Sequence, residues 1–397
     1  MKYFFKNANL VLEQKTVDLA VCDGKIDFVS NVEEGNFDKV VDLKGKMVLK
    51  GFCDLHTHLD KALISTRVAN RSGTLAEAIA IMSEYKAKMT DEDIYERAES
   101  TLLMCYKNGT RFLRTHIDVD KNIGIRSILV MKELQKKYRH LMQIQIVAFP
   151  QEGIVDKPQN YQALDQALAA GADLVGGIPV NDLDPQKHID MVFKLALKYN
   201  VDIDMHIDET DRADCMTLLQ LAYTTISMGW QGRVTAGHCC SLAANPPEIV
   251  DSILEKVHMA GIKIVSLPST NLYLQGRGDT CNIRRGIAPI KRIYQEHCIP
   301  TALASDNIRD PFNPFGNGNL LETALIAAHG CHMGGNDDID LLFDMITRQP
   351  IEMFGADYHI YEGEEADFII IDAATPGEAI IAQKRLYGYF RNNTLNF

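Results

Sequence analysis

The stretch from Gly51 to Asp60, GFCDLHTHLD, sets two histidines two residues apart at the end of an apolar run. In an extended strand, residues i and i+2 project from the same face, so His56 and His58 aim both imidazoles at one point. Two neutral imidazoles facing one point are half of a metal site. A His-x-His pair alone reads equally well as a polar strand end, so other residues must discriminate. Four further apolar runs end in groups able to do chemistry: FPQEG places Gln151, MHIDE places His206 and Glu209, TAGH places His238, and ASDN places Asp306 and Asn307.

Those residues need a scaffold that brings distant strand ends together. From Gly51 onward, eight short apolar runs with polar ends alternate with helical segments: GFCDLHTH, RFLRTHID, IQIVAFPQ, DLVGGIP, VDIDMHIDE, RVTAGH, KIVSLPS and TALASDN. The segment TLAEAIAIMSEYKAKM opens with a capping box, Thr74 to Glu77. NYQALDQALAAG closes at Gly171, and PPEIVDSILEKVHMAG opens on prolines and closes at Gly261. Eight strands alternating with helices predict an α/β fold, a (β/α)₈ TIM-like barrel, whose active site lies at the C-terminal strand ends. An open doubly wound sheet is the rival, but no Gly-x-Gly-x-x-Gly follows the first strand. Further helices are expected around Leu320–His329 and Ile339–Thr347. Residues 1–50 instead alternate apolar and polar, with Asp23-Gly24 as a hairpin signal, and strand texture returns in ADFIIIDAATPGEAIIAQKRLYGYFRN. The expected organisation is therefore a barrel over 51–362, with 1–50 and 363–397 pairing into a small β-sandwich domain.

Within a barrel, His56, His58, His206 and Asp306 converge as three imidazoles and one carboxylate, a set suited to zinc or iron(II). Water bound to such an ion loses a proton near neutral pH and becomes a nucleophile. Glu209 and His238 remain as proton carriers. The fourth run, DLVGGIPV, has no lysine to bridge a second ion, so one ion per chain is expected. Each residue also has a plainer reading. His206 and Glu209 could form a surface ion pair, His238 could be a satisfied core histidine, Gln151 could cap a turn, and Asp306 could be an N-cap. His116 and Asp118, in RTHID, read as structural support, and Lys61 and Arg309 as either solvated charges or pocket-rim groups.

TRFLRTHIDVD, QIQIVAFPQEGI, GADLVGGIPV, MHIDET, RVTAGH, LQGR and ASDNIRDPFNPFGNGN occur in one order along nearly the whole chain. Together they resemble the amidohydrolase superfamily and, within it, the bacterial cytosine deaminase group. The resemblance implies a single iron or zinc ion on His56, His58, His206 and Asp306, with catalytic roles for Asp306, Glu209 and His238. It also implies that Gln151 hydrogen-bonds a pyrimidine carbonyl edge, that Glu209 carries a proton to the ring nitrogen, and that His238 assists at the hydroxide. Two positions depart from that group. Asn307 stands where a second carboxylate is usual, and Phe312 stands where tryptophan is usual. Both replacements fall on substrate-binding positions; the first removes a charge and the second an indole donor. HTHLDK, ASDNIRD and PFGNG also resemble a related group that hydrolyses N-substituted amino-triazines, the N-isopropylammelide amidohydrolase-like enzymes. Glu209, which that group is understood to lack, favours the cytosine side.

The leading expectation is therefore a metal-dependent deaminase of a cytosine-like pyrimidine or related amino-heterocycle. The alternative is a triazine hydrolase, and a non-catalytic ligand-binding barrel stands third. The other zinc deaminase class is excluded, since neither His-x-Glu nor Pro-Cys-x-x-Cys occurs. At 397 residues, 46% hydrophobic and 24% charged, the chain has a composition typical of a soluble globular enzyme. Its net charge of −12 disfavours nucleic acid and anionic membranes as partners and leaves a small-molecule substrate. Self-association stays open. With no apolar leader or membrane-length run, a cytoplasmic location is expected. Nine unpatterned cysteines suggest reduced, mostly buried thiols.

Overall fold

The computed structural model describes residues 1–28 and 36–396; Val29 and Ser30, at the end of the second strand-like run, and Phe397 lie outside the described residues. Strands Tyr3–Leu10 (β1), Lys15–Cys22 (β2) and Lys25–Phe28 (β3) form an antiparallel meander. Asp23 (φ 51°) and Gly24 (φ 80°) both adopt left-handed backbone between β2 and β3, the tight turn that an Asp-Gly pair favours. β1 is bulged at Asn7 (φ 55°). Ahead of the bulge it pairs in parallel with Lys39–Asp42 (β4), and beyond it with Met47–Leu49 (β5).

The second sheet is wholly parallel and runs in order through Phe52–Thr57 (β6), Thr110–Asp118 (β7), Gln143–Phe149 (β8), Leu174–Val175 (β9), Asp202–Ile207 (β10), Val234–His238 (β11), Lys263–Ser266 (β12) and Thr301–Leu303 (β13). Its two ends meet just past β13. There Asp306 donates its backbone N–H to the His56 carbonyl at 2.8 Å, and Ser305 N–H reaches Asp54 Oδ1 at 3.1 Å. Helices join successive strands and bury one stripe each. In Pro247–Met259 the buried residues are Val250, Ile253, Leu254 and Val257, the 3.6-residue period of an amphipathic helix on a barrel. Gly171 (φ 95°) and Gly261 (φ 59°) follow the helix ends where the sequence placed them. Thr74 does cap Leu75–Lys86, its Oγ1 accepting from Glu77 N–H at 3.3 Å. Glu77, however, accepts from the Arg71 and Ser72 amides, so only half of the expected capping box forms and the other half organises the loop ahead of it.

The chain returns to the first sheet through Phe368–Ile371 (β14), Leu386–Arg391 (β15) and Thr394–Asn396 (β16), and β14 pairs antiparallel with β5. The N- and C-terminal strands thus build one small β domain, ordered β16-β15-β14-β5-β1-β2-β3. Phe5, Phe368 and Phe390 fill it, with ring centroids 5.4–5.5 Å apart. Met47, Leu49, Ile369 and Ile371 pack against Leu320, Leu321 and Leu342, joining this sheet to the helices after β13. No helix among the described residues is long and apolar enough to cross a membrane. The nine cysteines are all free, but only Cys53, Cys105, Cys239 and Cys240 are buried, and Cys281 and Cys298 are exposed. The expectation that most were buried therefore fails: Cys22, Cys215 and Cys331 are half-buried, and the two exposed ones lie on loops.

Candidate metal centre and active site

His56 is the penultimate residue of β6, and His58 follows directly after the strand's last residue, Thr57, on the same face. His206 comes from β10, and Asp306 follows β13 in left-handed backbone (φ 60°). His56 Nε2 and His58 Nε2 each stand 3.2 Å from His206 Nε2, and Asp306 Oδ1 is 3.3 Å from His58 Nε2 and 3.7 Å from His56 Nε2. The four ligand atoms all lie within 4.8 Å of one another. Burial, then the neighbouring histidines and, for His58, Lys61, hold all three imidazoles well below the usual histidine pKa, so they are neutral. His58 Nδ1 donates to the His116 carbonyl at 3.1 Å, which leaves its Nε2 as a lone pair facing the cluster. Neither Asp306 oxygen accepts a hydrogen bond, although the residue is buried. Lone pairs and an anion that face each other without donors fit a divalent cation.

The surroundings fix these ligands. Gly237 in β11 lets the His56 ring approach; a Cβ there would sit 3.1 Å from two ring atoms. His116 stacks on His56 at 3.9 Å between centroids, while its Nε2 bonds Asp204 Oδ1 at 3.2 Å. Asp204 in turn accepts from Arg114 at 2.7 Å. His116 therefore supports the cluster from below, as its sequence context suggested.

Glu209 and His238 sit together beside the ligands. Glu209 Oε1 is 3.7 Å from His238 Nδ1, and both side chains are buried. Burial, reinforced by the Asp306 charge, raises the Glu209 carboxyl well above the usual carboxylate range. Burial also lowers His238 to about 4. Asn271 Nδ2 donates to His238 Nδ1 at 3.0 Å, which orients the ring and leaves Nε2 without a protein partner. A buried carboxyl held protonated near a neutral imidazole is an arrangement for moving protons.

On the far wall, Lys61 is buried rather than solvated. Its Nζ donates to Asp118 Oδ1 at 2.7 Å and to Gln151 Oε1 at 3.4 Å, and lies over the rings of Phe149 and Phe312 at 5.6 and 5.3 Å. Lys86, at the end of helix Leu75–Lys86, joins the same network through Asp118 Oδ2 at 2.9 Å, Asp120 Oδ2 at 2.7 Å and Glu152 Oε1 at 2.5 Å. Asn307 donates to Asp310 Oδ2 at 2.7 Å, so its amide is engaged inside its own loop, and burial raises Asp310 to about 7. Arg309 donates to the Gly316 carbonyl at 2.9 Å and is exposed, a brace for that loop. Lys86, Asn271, Asp204 and Asp310 carried no role in the sequence reading. Lys86 had a legible signal, since it shares the buried helix stripe with Ala78 and Met82.

The model of the amidohydrolase family matches residues 39–386, and the chain belongs to that family. The N-isopropylammelide isopropyl amidohydrolase of Pseudomonas sp. (strain ADP) is 30% identical, over 98% of this chain and 96% of its own. A pterin deaminase of Rhizobium rhizogenes is 32% identical, over 90% of this chain and 82% of its own. Among solved structures, the 5-methylcytosine deaminase of Klebsiella pneumoniae liganded with phosphonocytosine superposes with a TM-score of 0.91 at 30% identity, covering 100% of this chain and 97% of that one.

Elemental analysis of the purified protein is expected to give about one divalent ion per chain, lost in His206→Ala and Asp306→Ala. Two ions per chain would overturn the single-ion centre.

Proposed function

We propose that this protein is a metal-dependent hydrolytic deaminase of a cytosine-like pyrimidine or a related amino-heterocycle, releasing ammonia. The observation that carries the reading is the buried Glu209 carboxyl, 3.7 Å from His238 and close enough to Asp306 for that charge to help raise its pKa. An ion on His56, His58, His206 and Asp306, zinc or iron, would supply Lewis acidity to activate water. The chain's own residues do the remainder. Glu209 gives a proton to the ring nitrogen, which makes the neighbouring amino-bearing carbon easier to attack. His238, neutral at physiological pH and accepting from Asn271 at Nδ1, carries its proton on Nε2 and presents that N–H as a donor beside the cluster. Gln151, oriented by Lys61, presents hydrogen-bonding groups to the ring edge, and Phe312 gives an apolar face beside it. The reading is supported by relatives whose names include a pterin deaminase and a 5-methylcytosine deaminase. A second reading, hydrolysis of an N-substituted amino-triazine, is supported by the N-isopropylammelide amidohydrolase, which aligns over nearly all of both chains.

Release of ammonia or amine from cytosine, 5-substituted cytosines, isoguanine, pterin and N-isopropylammelide separates these readings. With Asn307 in place of a charge and Phe312 in place of a larger ring, we expect cytosine not to be the best substrate. Asn307→Asp should shift preference toward cytosine by tens to about a hundredfold, the scale of one pocket contact. An unchanged ranking in that variant, or a wild-type preference for cytosine over every other compound, would refute the specificity assignment.

A further inference from the structure

Gln151, Glu209, His238, Asp306 and Phe312 are each no more than 5% exposed. A ring that meets Glu209 and Gln151 together cannot reach them while everything above them stays in place. After the short helix Pro268–Leu274, residues 277–285 form a surface stretch in which all but the half-buried Asp279 are exposed, between buried residues on either side. We propose that residues 277–285 are a flap over the mouth of the barrel, which swings away to admit the substrate and closes over it. This goes beyond the deaminase reading and needs only the metal cluster, whichever ring is turned over.

The stretch is built to move as one piece. Gly276 (φ 72°) and Gly286 (φ 62°) bound it in left-handed backbone. Its two ends lie against each other: a Cβ on Gly276 would sit 2.4 Å from the Arg284 carbonyl oxygen, and one on Gly286 would sit 2.1 Å from Gln275 Cβ. Only glycines allow that approach, so the hinge positions admit no side chain. Between them the loop is tied to itself. Asp279 accepts from the Arg284 amide at 3.0 Å and from its guanidinium at 2.8 and 2.9 Å, while the Asp279 N–H donates to the Gly276 carbonyl at 3.1 Å. A loop with joined ends and its own internal bonds is a compact unit.

Its outward bonds cross the mouth. In the barrel order, β6 and β10 stand opposite each other and β12, which carries the flap, lies midway between them. The flap reaches both sides. Arg284 Nη1 donates to the Asp211 carbonyl, beyond β10, at 2.7 Å. Arg277 lies over the Tyr273 ring at 4.5 Å and points Nη1 at the Ser72 carbonyl, in the loop after β6, at 3.4 Å. Gly73 leaves room for that guanidinium, since a Cβ there would be 2.5 Å from Nη1. Leu75 and Glu209, from those two opposite loops, line one cavity, so the loops approach each other above the cluster. At the hinge, the Gly276 N–H donates to Asp211 Oδ2 at 2.8 Å and holds the base of the flap. Opening therefore breaks only the exposed Arg277 and Arg284 contacts, which are weak enough to part and reform. Asp211 is two residues past Glu209, so closing the flap shuts water out and seats the proton carrier in one motion.

The test follows access to the cluster without any substrate. Zinc-loaded wild type, Arg277→Ala and Arg284→Ala are mixed with excess pyridine-2,6-dicarboxylate, and zinc loss is timed. Both variants should start with full metal and lose it about tenfold faster than wild type, the scale of one broken hydrogen bond. Arg212→Ala, which removes an exposed charge paired only with Asp214 and outside the flap, should match wild type. Hydrogen exchange separates opening from general loosening: the amides of 276–286 should exchange faster in both variants, and those of Val234–His238 should not change. Because no ring enters either measurement, a failure of the deaminase reading leaves the result readable. Unchanged zinc loss in both variants, an equal acceleration in Arg212→Ala, or faster exchange in Val234–His238 alongside faster zinc loss overturns the flap.

Discussion

Glu209→Gln is expected to keep its metal and to lose kcat by about 10²- to 10⁴-fold, the usual contribution of a positioned acid–base group. The substitution preserves shape and volume but removes the exchangeable carboxyl proton. Glu209 is not one of the four clustered ligands, and its Oε1 lies 3.7 Å from His238 Nδ1. Loss of the proton and loss of the metal are therefore separable, and elemental analysis beside steady-state kinetics reads both. The pH profile gives a second readout. A carboxyl whose folded pKa is raised stays protonated at pH values where an ordinary glutamate has ionised, so a step that needs its proton slows only as pH rises through that raised value. Gln has no such ionisation, and the alkaline limb should vanish from the variant's profile. Near wild-type turnover would show that Glu209 is not the proton carrier, and loss of metal would show that it supports a ligand.

The barrel was legible because eight short apolar runs, with polar residues at or just beyond most of their ends, alternate with helical segments, several of which carry their own start or stop chemistry. Pro247 and Gly261 bound one helix in sequence and in structure alike. The metal ligands were legible for a related reason: the two-residue period of β6 fixes the relative aim of His56 and His58, and strand ends of a barrel converge whatever the loops do. Legibility fell where function depends on who meets whom across the mouth. Lys61 read equally well as solvent-exposed or as pocket rim, because a lysine's surroundings depend on Asp118, 57 positions away. Asn307 read as a substrate contact; its amide nitrogen is also bonded to Asp310, a local pairing at i+3 that the sequence permitted but did not require. Asn271 left no trace at all. It lies on a short helix after β12, and its meaning comes only from the His238 ring it orients.

Lys86→Met should destabilise the protein by about 3–5 kcal/mol near pH 8, the cost of removing one partner from a buried ion network. Burial opposes the charge on Lys86, but Asp118, Glu152 and Asp120 outweigh it and raise its pKa, so the ammonium is charged throughout the working range. Four buried or largely buried carboxyls, Asp60, Asp118, Asp120 and Glu152, face Lys61 and Lys86 as their cationic partners at this wall. Without Lys86 the remaining carboxylates repel, and their pKa values rise. Groups with raised folded pKa values destabilise most above those values and least below the unfolded value of about 4. The deficit of Lys86→Met should therefore shrink steadily as pH falls from 8 toward 5. Chemical denaturation of wild type and variant at both pH values measures this directly. The same variant should raise KM, since Asp118 holds Lys61 and Lys61 holds Gln151. A loss below about 1 kcal/mol at pH 8, or a deficit that does not change with pH, would mean that the network is solvated or already neutralised by protons rather than held by Lys86.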